Sequence, residues 1–435
     1  MPRILVILAA IHVAAFVWIA HLKNPILFFP AYAAGVLAPT IGWLVLAIGM
    51  LRGNLVLSRR ALVVGWAVAI AARMVLLFPS VPLSTDLYRY LWDGRVASAG
   101  INPYVHAPSS PNVAQLRDSN WPYIEHADHW TVYPPLAQEF FRLMHWAGTT
   151  PRGVRAWAIA LDLGAAAIFA AVFPRRGKSA ALALVYAWCP LAILESALGG
   201  HVDSLGILFL ALACLFADRL PARAREFPSG IGSGLFLSAS AMVKLIPFAL
   251  VPAFATRRSM KWLVLFALGA GLPLLLFRVY RDPHSHLLDG LATYARYWYF
   301  NDLAYTPLVQ AGIDPLAARR ILALLFMVAA LAISWRTRDL LAANGLVLFT
   351  YLALSPTVHP WYGMWIAAFV ASIPPLVRPA AMTLVALLPF SYVTPWWQAR
   401  TGIAQEPGWN RLLLWIPVLT VLIWTMGKRA LRGRS

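Results

Sequence analysis

The chain has 435 residues, of which 60% are hydrophobic and only 12% are charged, and its formal net charge is +19. A soluble domain carries about a quarter charged residues, so this composition excludes an ordinary water-soluble protein and predicts one embedded in lipid. The positive charge does not indicate a nucleic-acid partner, because the Lys and Arg residues stand in short clusters between apolar runs, where they orient a membrane protein. Both cysteines, Cys189 and Cys214, fall inside apolar runs and indicate neither a disulfide framework nor a metal site.

Long apolar segments that do not alternate with polar residues recur along the whole chain. A helix needs about 20 apolar residues to cross the hydrocarbon, and inside lipid only helices or closed barrels satisfy the backbone. We expect spans at residues 4–21, 26–50, 61–79, 154–173, 179–197, 204–217, 230–256, 261–277, 318–334, 340–354, 360–373, 380–393 and 410–426. The sequence therefore predicts an all-α, polytopic transmembrane helical bundle of about 12–14 spans, with residues 1–435 forming a single membrane domain.

The run 230–256 is too long for one plain helix and is interrupted by Lys244 and Pro247. It is expected to form two short spans or one broken helix. Only a double crossing or a re-entrant segment here puts every basic cluster on one side, as the positive-inside rule requires. These clusters, all predicted to be cytoplasmic, are Arg52, Arg59 and Arg60; Arg175, Arg176 and Lys178; Arg219, Arg223 and Arg225; Arg257, Arg258 and Lys261; Arg336 and Arg338; and Lys428, Arg429, Arg432 and Arg434.

On this topology two long loops, about 80–153 and 278–317, lie outside together with most of the carboxylates. They are rich in Trp, Tyr and His, and we expect amphipathic helices in them that lie on the membrane surface. The sequence therefore predicts an integral, multi-pass protein of the plasma (inner) membrane whose active site faces the extracytoplasmic side.

Asp86 follows the third predicted span by a few residues, so it should lie at the bilayer surface. Asp86, Arg89, Tyr90 and Asp93 recur at i, i+3, i+4 and i+7, which is one face of a helix. The spacing fits two alternatives equally well. One is an amphipathic interfacial helix with a local ion pair, and the other is a site in which two acids and a guanidinium point the same way.

An acidic residue in the first large outer loop, just after an early span, resembles the GT-C superfamily of integral-membrane glycosyltransferases. The segment from Asp86 through Gly100, Asn102, Pro103 and Tyr104 is similar to the polyprenyl-phosphate-dependent mannosyltransferases of glycosyltransferase family 87. The resemblance implies that Asp86 is the catalytic base. The superfamily pattern often has two neighbouring acids, and here the second candidate is Asp93.

The chemistry of sugar transfer agrees with such a placement. A sugar hydroxyl is a poor nucleophile until a base accepts its proton during attack. The leaving group of a lipid-phosphate donor is already anionic, so it needs cations rather than an acid. The chain has no Gly-rich phosphate loop, so no nucleotide need be bound, and we expect neither a cofactor nor a metal.

Two further motifs carry candidate substrate-binding residues. Tyr133 precedes two prolines that fix the backbone direction; it either faces the sugar or only starts the following helix. Glu195, His201 and Asp203 join two predicted spans at the outer face, around a pair of glycines. They are expected to bind sugar hydroxyls, with an internally paired helix hairpin and a loosely spaced metal site as the alternatives, and Gly-His-x-Asp turns are similar to those of the resembling family.

Cations and aromatic residues complete the candidate list. Lys244 lies in an apolar run three residues before a proline, and we expect it to bind the donor phosphate, with simple snorkelling as the alternative. His359 stands between Val358 and Pro360 near another outer turn and can donate to phosphate or a hydroxyl, while Tyr362 can stack on a sugar or anchor the headgroup layer.

The sequence thus predicts a glycosyltransferase that moves a sugar, most readily mannose, from a polyprenyl-phosphate donor to a lipid or glycan hydroxyl with inversion. In it Asp86 is catalytic, and Arg89, Asp93, Tyr133, Glu195, His201, Asp203, Lys244, His359 and Tyr362 bind substrate. A transporter or lipid flippase is the main rival, although it would favour charges near the midplane and inverted repeats. A structural or assembly protein is a third alternative, but it would not need carboxylates and histidines drawn from distant loops.

Overall fold

A computed structural model describes residues 3–79, 81–218 and 226–432, and the regular secondary structure in this part of the chain is helical, without strands. Phe300 and Thr357 form an isolated parallel bridge. The α-helices in chain order are α1 (Arg3–Ala20), α2 (Phe29–Leu51), α3 (Arg59–Leu77), α4 (Asp86–Ser98), α5 (Pro135–Trp146), α6 (Pro151–Arg175), α7 (Ala183–Ala187), α8 (Pro190–Leu194), α9 (Asp203–Ala217), α10 (Glu226–Ala241), α11 (Val251–Ala255), α12 (Met260–Leu274), α13 (Leu276–Val279), α14 (Asp289–Tyr297), α15 (Tyr305–Gln310), α16 (Pro315–Arg336), α17 (Leu340–Leu354), α18 (Gly363–Ala367), α19 (Arg378–Leu387), α20 (Val393–Thr401) and α21 (Gly408–Arg432). The predicted basic cluster of Arg219, Arg223 and Arg225 lies outside the described residues, as do Arg434 and the side chain of Arg432.

The chain divides into two compact units. Unit 1 comprises Met1–Val81, Gly177–Glu195 and Tyr299–Ser435, and unit 2 comprises Pro82–Arg176 and Ser196–Trp298. Each unit is therefore assembled from separate stretches of the chain. The prediction of a single membrane domain stays a prediction.

Several helices are long and apolar enough to cross a membrane. Those that reach 18 residues are Phe29–Leu51, Arg59–Leu77, Pro151–Arg175, Met260–Val279, Pro315–Arg336 and Gly408–Leu431. A bent pair, Ala180–Ala187 and Pro190–Gly199, adds one further candidate span. The predicted all-α polytopic bundle is thereby confirmed.

The number of crossings stays a prediction, because several predicted spans correspond to short helices. The 15-residue helices α9 and α17 are examples. Each is about 22 Å long at 1.5 Å per residue, which is less than the roughly 30 Å of the hydrocarbon. The predicted break in the run 230–256 is confirmed, since α10 ends at Ala241 and a 3₁₀-helix begins at Ile246.

In unit 1, the bend of 61° between α7 and α8 removes regular helical hydrogen bonds within an apolar bundle. Side chains replace them. The indole Nε1 of Trp43 donates to the carbonyl of Val185 at 2.6 Å, and Arg73 Nη1 donates to the carbonyls of Ala187 at 2.8 Å and Ala69 at 3.0 Å. Because an unpaired carbonyl in lipid costs several kcal/mol, these donors make the break tolerable.

In unit 2, glycines let α10 and α12 approach closely. A Cβ at Gly234 would lie 1.9 Å from the carbonyl oxygen of Phe266, and a Cβ at Gly269 would lie 2.1 Å from that of Ile231. Small residues at such positions are the usual means of packing helices in lipid, where apolar burial gives no driving force. This pairing fixes the end of α10, from which Lys244 follows.

Candidate active site

Asp86 is the first residue of α4 and is half-buried in unit 2. Its backbone N–H donates to Ser84 Oγ at 3.2 Å, and its side chain keeps 34% of its surface exposed. Helix α4 packs on α5 so tightly that a Cβ at Gly94 would lie 2.2 Å from the carbonyl oxygen of Phe141. Leu87 and Tyr90 enter the apolar cluster beneath, so the start of α4 is held rigidly.

Two polar side chains from distant parts of the sequence approach the Asp86 carboxylate. The hydroxyl of Tyr133 donates to Asp86 Oδ2 at 3.4 Å, and Nδ1 of His201 lies 3.7 Å from the same oxygen. The His201 side chain is fully buried, whereas the carboxylate can be reached from solvent. Three residues to which the sequence analysis gave catalytic or substrate-binding roles therefore lie together in the structure.

Burial raises the pKa of Asp86 from 3.8 to about 6. The positive charge of Lys244 opposes this rise, whereas the negative charges of Glu125 and Asp203 add to it. A carboxyl with this pKa is mostly ionised at neutral pH, yet more basic than an ordinary aspartate. That combination suits a general base.

Lys244 and Asp203 form a partly buried ion pair, and both charges act on Asp86. Lys244 Nζ lies 3.0 Å from Asp203 Oδ1 and 2.9 Å from Oδ2, and the carboxylate is almost completely buried while the lysine keeps 18% of its side-chain surface. Asp203 is the first residue of α9, so its charge also interacts favourably with the amino end of that helix. Both residues were predicted to contact substrate, and the structure gives each of them a protein partner.

The glycine turn predicted before His201 is present and brings in an arginine that the sequence analysis missed. Gly200 has a φ of +73°, a conformation that favours glycine, and a Cβ there would lie 3.0 Å from Arg155 Cγ. Arg155 is buried in the first turn of α6. In the sequence, Arg155 stands at the start of an apolar run, where an arginine is typical of a charge that orients a membrane span. No local pattern therefore indicated that it lies near His201.

A second polar network fixes the loop that carries Tyr133. We name residues 121–133 the aromatic loop. Asp93 is buried and accepts hydrogen bonds from Arg89 Nε at 2.9 Å, Thr131 Oγ1 at 2.6 Å and Gln138 Nε2 at 3.1 Å. Arg89 Nη1 also donates to the carbonyl of His129 at 3.1 Å, while its buried Nη2 has no partner among the described residues. Both Arg89 and Asp93 thus clamp the aromatic loop to α4.

The remaining predicted residues lie in unit 1. Both carboxylate oxygens of Glu195 accept a hydrogen bond from the Tyr392 hydroxyl, at 3.2 and 3.0 Å. The ring of His359 stacks on Trp361 at 4.4 Å and meets the edge of Tyr362 at 5.5 Å. Substrate contacts by Glu195, His359 and Tyr362 stay predictions.

Among the described residues, no group of three or more His, Cys, Asp or Glu side chains is arranged to hold a metal ion. The polar groups around Asp86 are Tyr133 and His201, and the charges of Lys244 and Asp203 also act on it. An all-α bundle with several helices long enough to cross a membrane defines an integral-membrane protein, and Asp86 gives it a candidate catalytic carboxylate.

The family described as Alpha-(1->6)-mannopyranosyltransferase, N-terminal domain (MptA_B family) matches residues 4–261, which is more than half of the chain. The chain therefore belongs to this family and is a membrane glycosyltransferase of the mannosyltransferase kind. Comparison with curated proteins and with solved structures gives no significant match. The predicted resemblance to membrane mannosyltransferases is confirmed, and the enzyme interpretation prevails over the transporter and assembly-protein alternatives.

Proposed function

We propose that this protein transfers mannose from a polyprenyl-phosphate donor to a hydroxyl of a lipid or glycan acceptor at the extracytoplasmic face of the plasma membrane. Asp86 acts as the catalytic base. The observation that carries this proposal is its carboxylate, which is partly exposed, has a pKa of about 6 and lies beside His201, Tyr133 and the charge of Lys244.

The reaction is a single displacement. The acceptor hydroxyl gives its proton to Asp86 as its oxygen forms a bond to the anomeric carbon. The bond from that carbon to the phosphate oxygen breaks, and the electron pair leaves with the lipid phosphate. Attack in line with the leaving group inverts the anomeric configuration.

Lys244 meets the charge that develops on the phosphate. Its ammonium has three N–H donors, and the two contacts with Asp203 fix its position near the base. Preorganised cations of this kind stabilise a departing anion without reorganisation during the reaction. In this proposal Asp203 positions Lys244 rather than binding a sugar hydroxyl.

The other residues around the base have supporting roles. Tyr133 orients the Asp86 carboxylate, and His201 serves as a second hydrogen-bonding group for it or for the sugar. Asp93 acts through the aromatic loop, and Arg89 retains one N–H donor for the acceptor.

Replacement of Asp86 by Asn tests the base. Purified protein in lipid nanodiscs is given a polyprenyl-phosphate mannose and an α-(1->6)-mannobiose acceptor, and the product is measured by mass spectrometry. Asp86→Asn should lower the rate by about 10²–10⁴-fold. Asp282→Asn, which changes an exposed aspartate of the same unit, should leave it unchanged.

Different results would contradict the catalytic base and the donor class. Normal transfer by folded Asp86→Asn protein would remove Asp86 from the base role. Transfer from a nucleotide-activated mannose, with none from the lipid donor, would refute the donor class and leave the base assignment intact.

A further inference from the structure

A group of aromatic and histidine rings lies on unit 2 close to the catalytic helix. We name it the ring cluster, and its members are His126, His129, Trp130, His286, Tyr294 and Trp298. Three of these residues belong to the aromatic loop, and the others come from the segment around α14. None of these residues is used in the proposed reaction.

The ring contacts form two groups, one around Trp298 and one made by Trp130 and His286. Trp298 meets the edges of His126 at 5.0 Å and His129 at 5.5 Å, and Tyr294 stacks on it at 5.7 Å. Trp130 stacks on His286 at 3.8 Å. An aromatic ring carries partial negative charge on its face and partial positive charge on its edge, so these rings offer both kinds of contact to a ligand.

Charged and backbone groups hold the rings in place. His286 Nδ1 lies 2.7 Å from Asp289 Oδ2, and His129 Nδ1 lies 3.3 Å from Asp128 Oδ1. A Cβ at Gly290 would lie 2.6 Å from the carbonyl oxygen of Trp130, so α14 is pressed against the aromatic loop. The cluster is therefore a preformed surface rather than a set of independent side chains.

His126 is exposed and has a φ of +51°, in the left-handed region that favours glycine. This backbone conformation sets the direction in which its ring leaves the aromatic loop.

The ring cluster is tied to the helix that carries the base. Arg89 donates to the carbonyl of His129, and Asp93 accepts from Thr131 next to Trp130. Along α4, Asp86 and Asp93 are seven residues apart, or about 10 Å. Tyr133, at the end of the aromatic loop, donates to Asp86 Oδ2 at 3.4 Å, so the loop and the base are close enough for one sugar chain to reach both.

The chemistry of the cluster fits a pyranose ring. The faces of aromatic rings carry partial negative charge, which suits the C–H face of a sugar, while histidine nitrogens and the carboxylates of Asp128 and Asp289 suit its hydroxyls. Histidines and carboxylates are expensive to place in hydrocarbon, which disfavours lipid tails as the occupant. Arg89 Nη2, a buried donor without a partner among the described residues, supplies a further group for a hydroxyl.

We infer that the ring cluster binds the acceptor glycan, stacking one of its mannosyl residues on Trp298 or Trp130 while the reacting hydroxyl lies at Asp86. The inference rests on the proposed function for the position of the base. It adds the surface on which the acceptor saccharide is held.

Binding of the acceptor alone tests this inference without any need for catalysis. α-(1->6)-Mannobiose is titrated into the nanodisc-embedded protein, and saturation-transfer NMR of the sugar protons gives the dissociation constant. Trp298→Ala should weaken binding about tenfold, and Trp298→Phe should recover part of it. Trp146→Ala removes an exposed tryptophan of the same unit that stacks with Arg142, and it should bind as wild type does.

A thermal unfolding scan of each variant shows that the protein is folded, and Trp130→Ala serves as a second variant if Trp298→Ala unfolds. Equal binding by folded Trp298→Ala and wild-type protein, or no saturable binding by wild type, would overturn the inference. If the tryptophans serve only as membrane-interface anchors, Trp298→Ala will change stability in nanodiscs while the dissociation constant stays the same, which also overturns it. Wild type that binds mannobiose normally without transferring mannose from the lipid donor would refute the proposed function and leave this inference standing.

Discussion

The pKa of Asp86 determines how the rate of the proposed reaction depends on pH. Because burial raises that pKa to about 6, the carboxylate is present as a base above pH 6 and is lost by protonation below it. The rate of transfer under kcat/KM conditions should therefore fall about tenfold per pH unit below that pKa. An ordinary aspartate, with a pKa near 3.9, would give a rate that is level across the same range.

Lys244 should set the pH at which the rate begins to fall, which we call the acidic limb of the pH–rate profile. Its charge lowers the pKa of Asp86, so Lys244→Met should move the limb to higher pH, in addition to weakening the hold on the donor. Lys261→Met changes an exposed lysine of the same unit and should leave the limb where it is. The measurement is a rate profile from pH 5 to 8 for the three proteins, and a limb at the same pH in Lys244→Met would show that the two charges do not interact.

At the scale of the elements, the junction between α4 and the aromatic loop depends on one carboxylate. Asp93 binds Arg89, Thr131 and Gln138, all in surroundings closed to solvent. Removing one partner of a buried pair leaves the other charge uncompensated, which costs about 3–5 kcal/mol. An exposed pair contributes about 1 kcal/mol or less, because solvent screens it.

Asp93→Ala should therefore lower the thermal unfolding midpoint by several degrees and reduce transfer by displacing Tyr133 from Asp86. Asp93→Asn, which keeps an acceptor oxygen for Thr131, should lie between it and wild type. The matched control is Asp118→Ala, which breaks the more exposed ion pair with Arg95 in the same unit. Equal effects of Asp93→Ala and Asp118→Ala on the midpoint would contradict the role given to this junction.

The same junction shows what the sequence could and could not predict. The face formed by Asp86, Arg89 and Asp93 follows from helical spacing, and so does an ion pair on it. Which acid the arginine would bind does not follow, because Thr131 and Gln138 decide the matter by also binding Asp93. Thr131 and Gln138 are 38 and 45 residues from Asp93 in the sequence, so a local pattern cannot predict these contacts.

For the whole molecule, composition predicts the fold class because apolar runs have few alternatives in lipid. The break after Ala241 also agrees with local chemistry, since Lys244 and Pro247 interrupt the apolar run and disfavour one continuous helix. The closeness of His201 and Tyr133 to Asp86 was inferred only through the assumption that polar loops gather at one face. The partnership of Glu195 with Tyr392, 197 residues away, could not be anticipated because neither residue marks the other in sequence.

The orientation of the bundle in the membrane is the assumption on which the donor assignment depends. Basic clusters between spans predict that the loop from Arg52 to Arg60 is cytoplasmic and that the segment 80–153 is outside. A lipid-phosphate donor fits the outer face because that side has no supply of nucleotide sugars. Gln115 and Asn54 are exposed residues in the outer segment and the cytoplasmic loop, respectively, so cysteines placed there report the two sides directly.

Intact cells that produce Gln115→Cys should react with a membrane-impermeant maleimide, whereas those that produce Asn54→Cys should react only after permeabilisation. The natural cysteines, Cys189 and Cys214, are buried, so the unaltered protein should stay unlabelled and supplies the background. A reversed pattern would put Asp86 on the cytosolic side, where nucleotide sugars are at hand. The charge of Lys244 would then have to serve a nucleotide-activated donor, and the lipid-phosphate proposal would fail even if Asp86 were still the base.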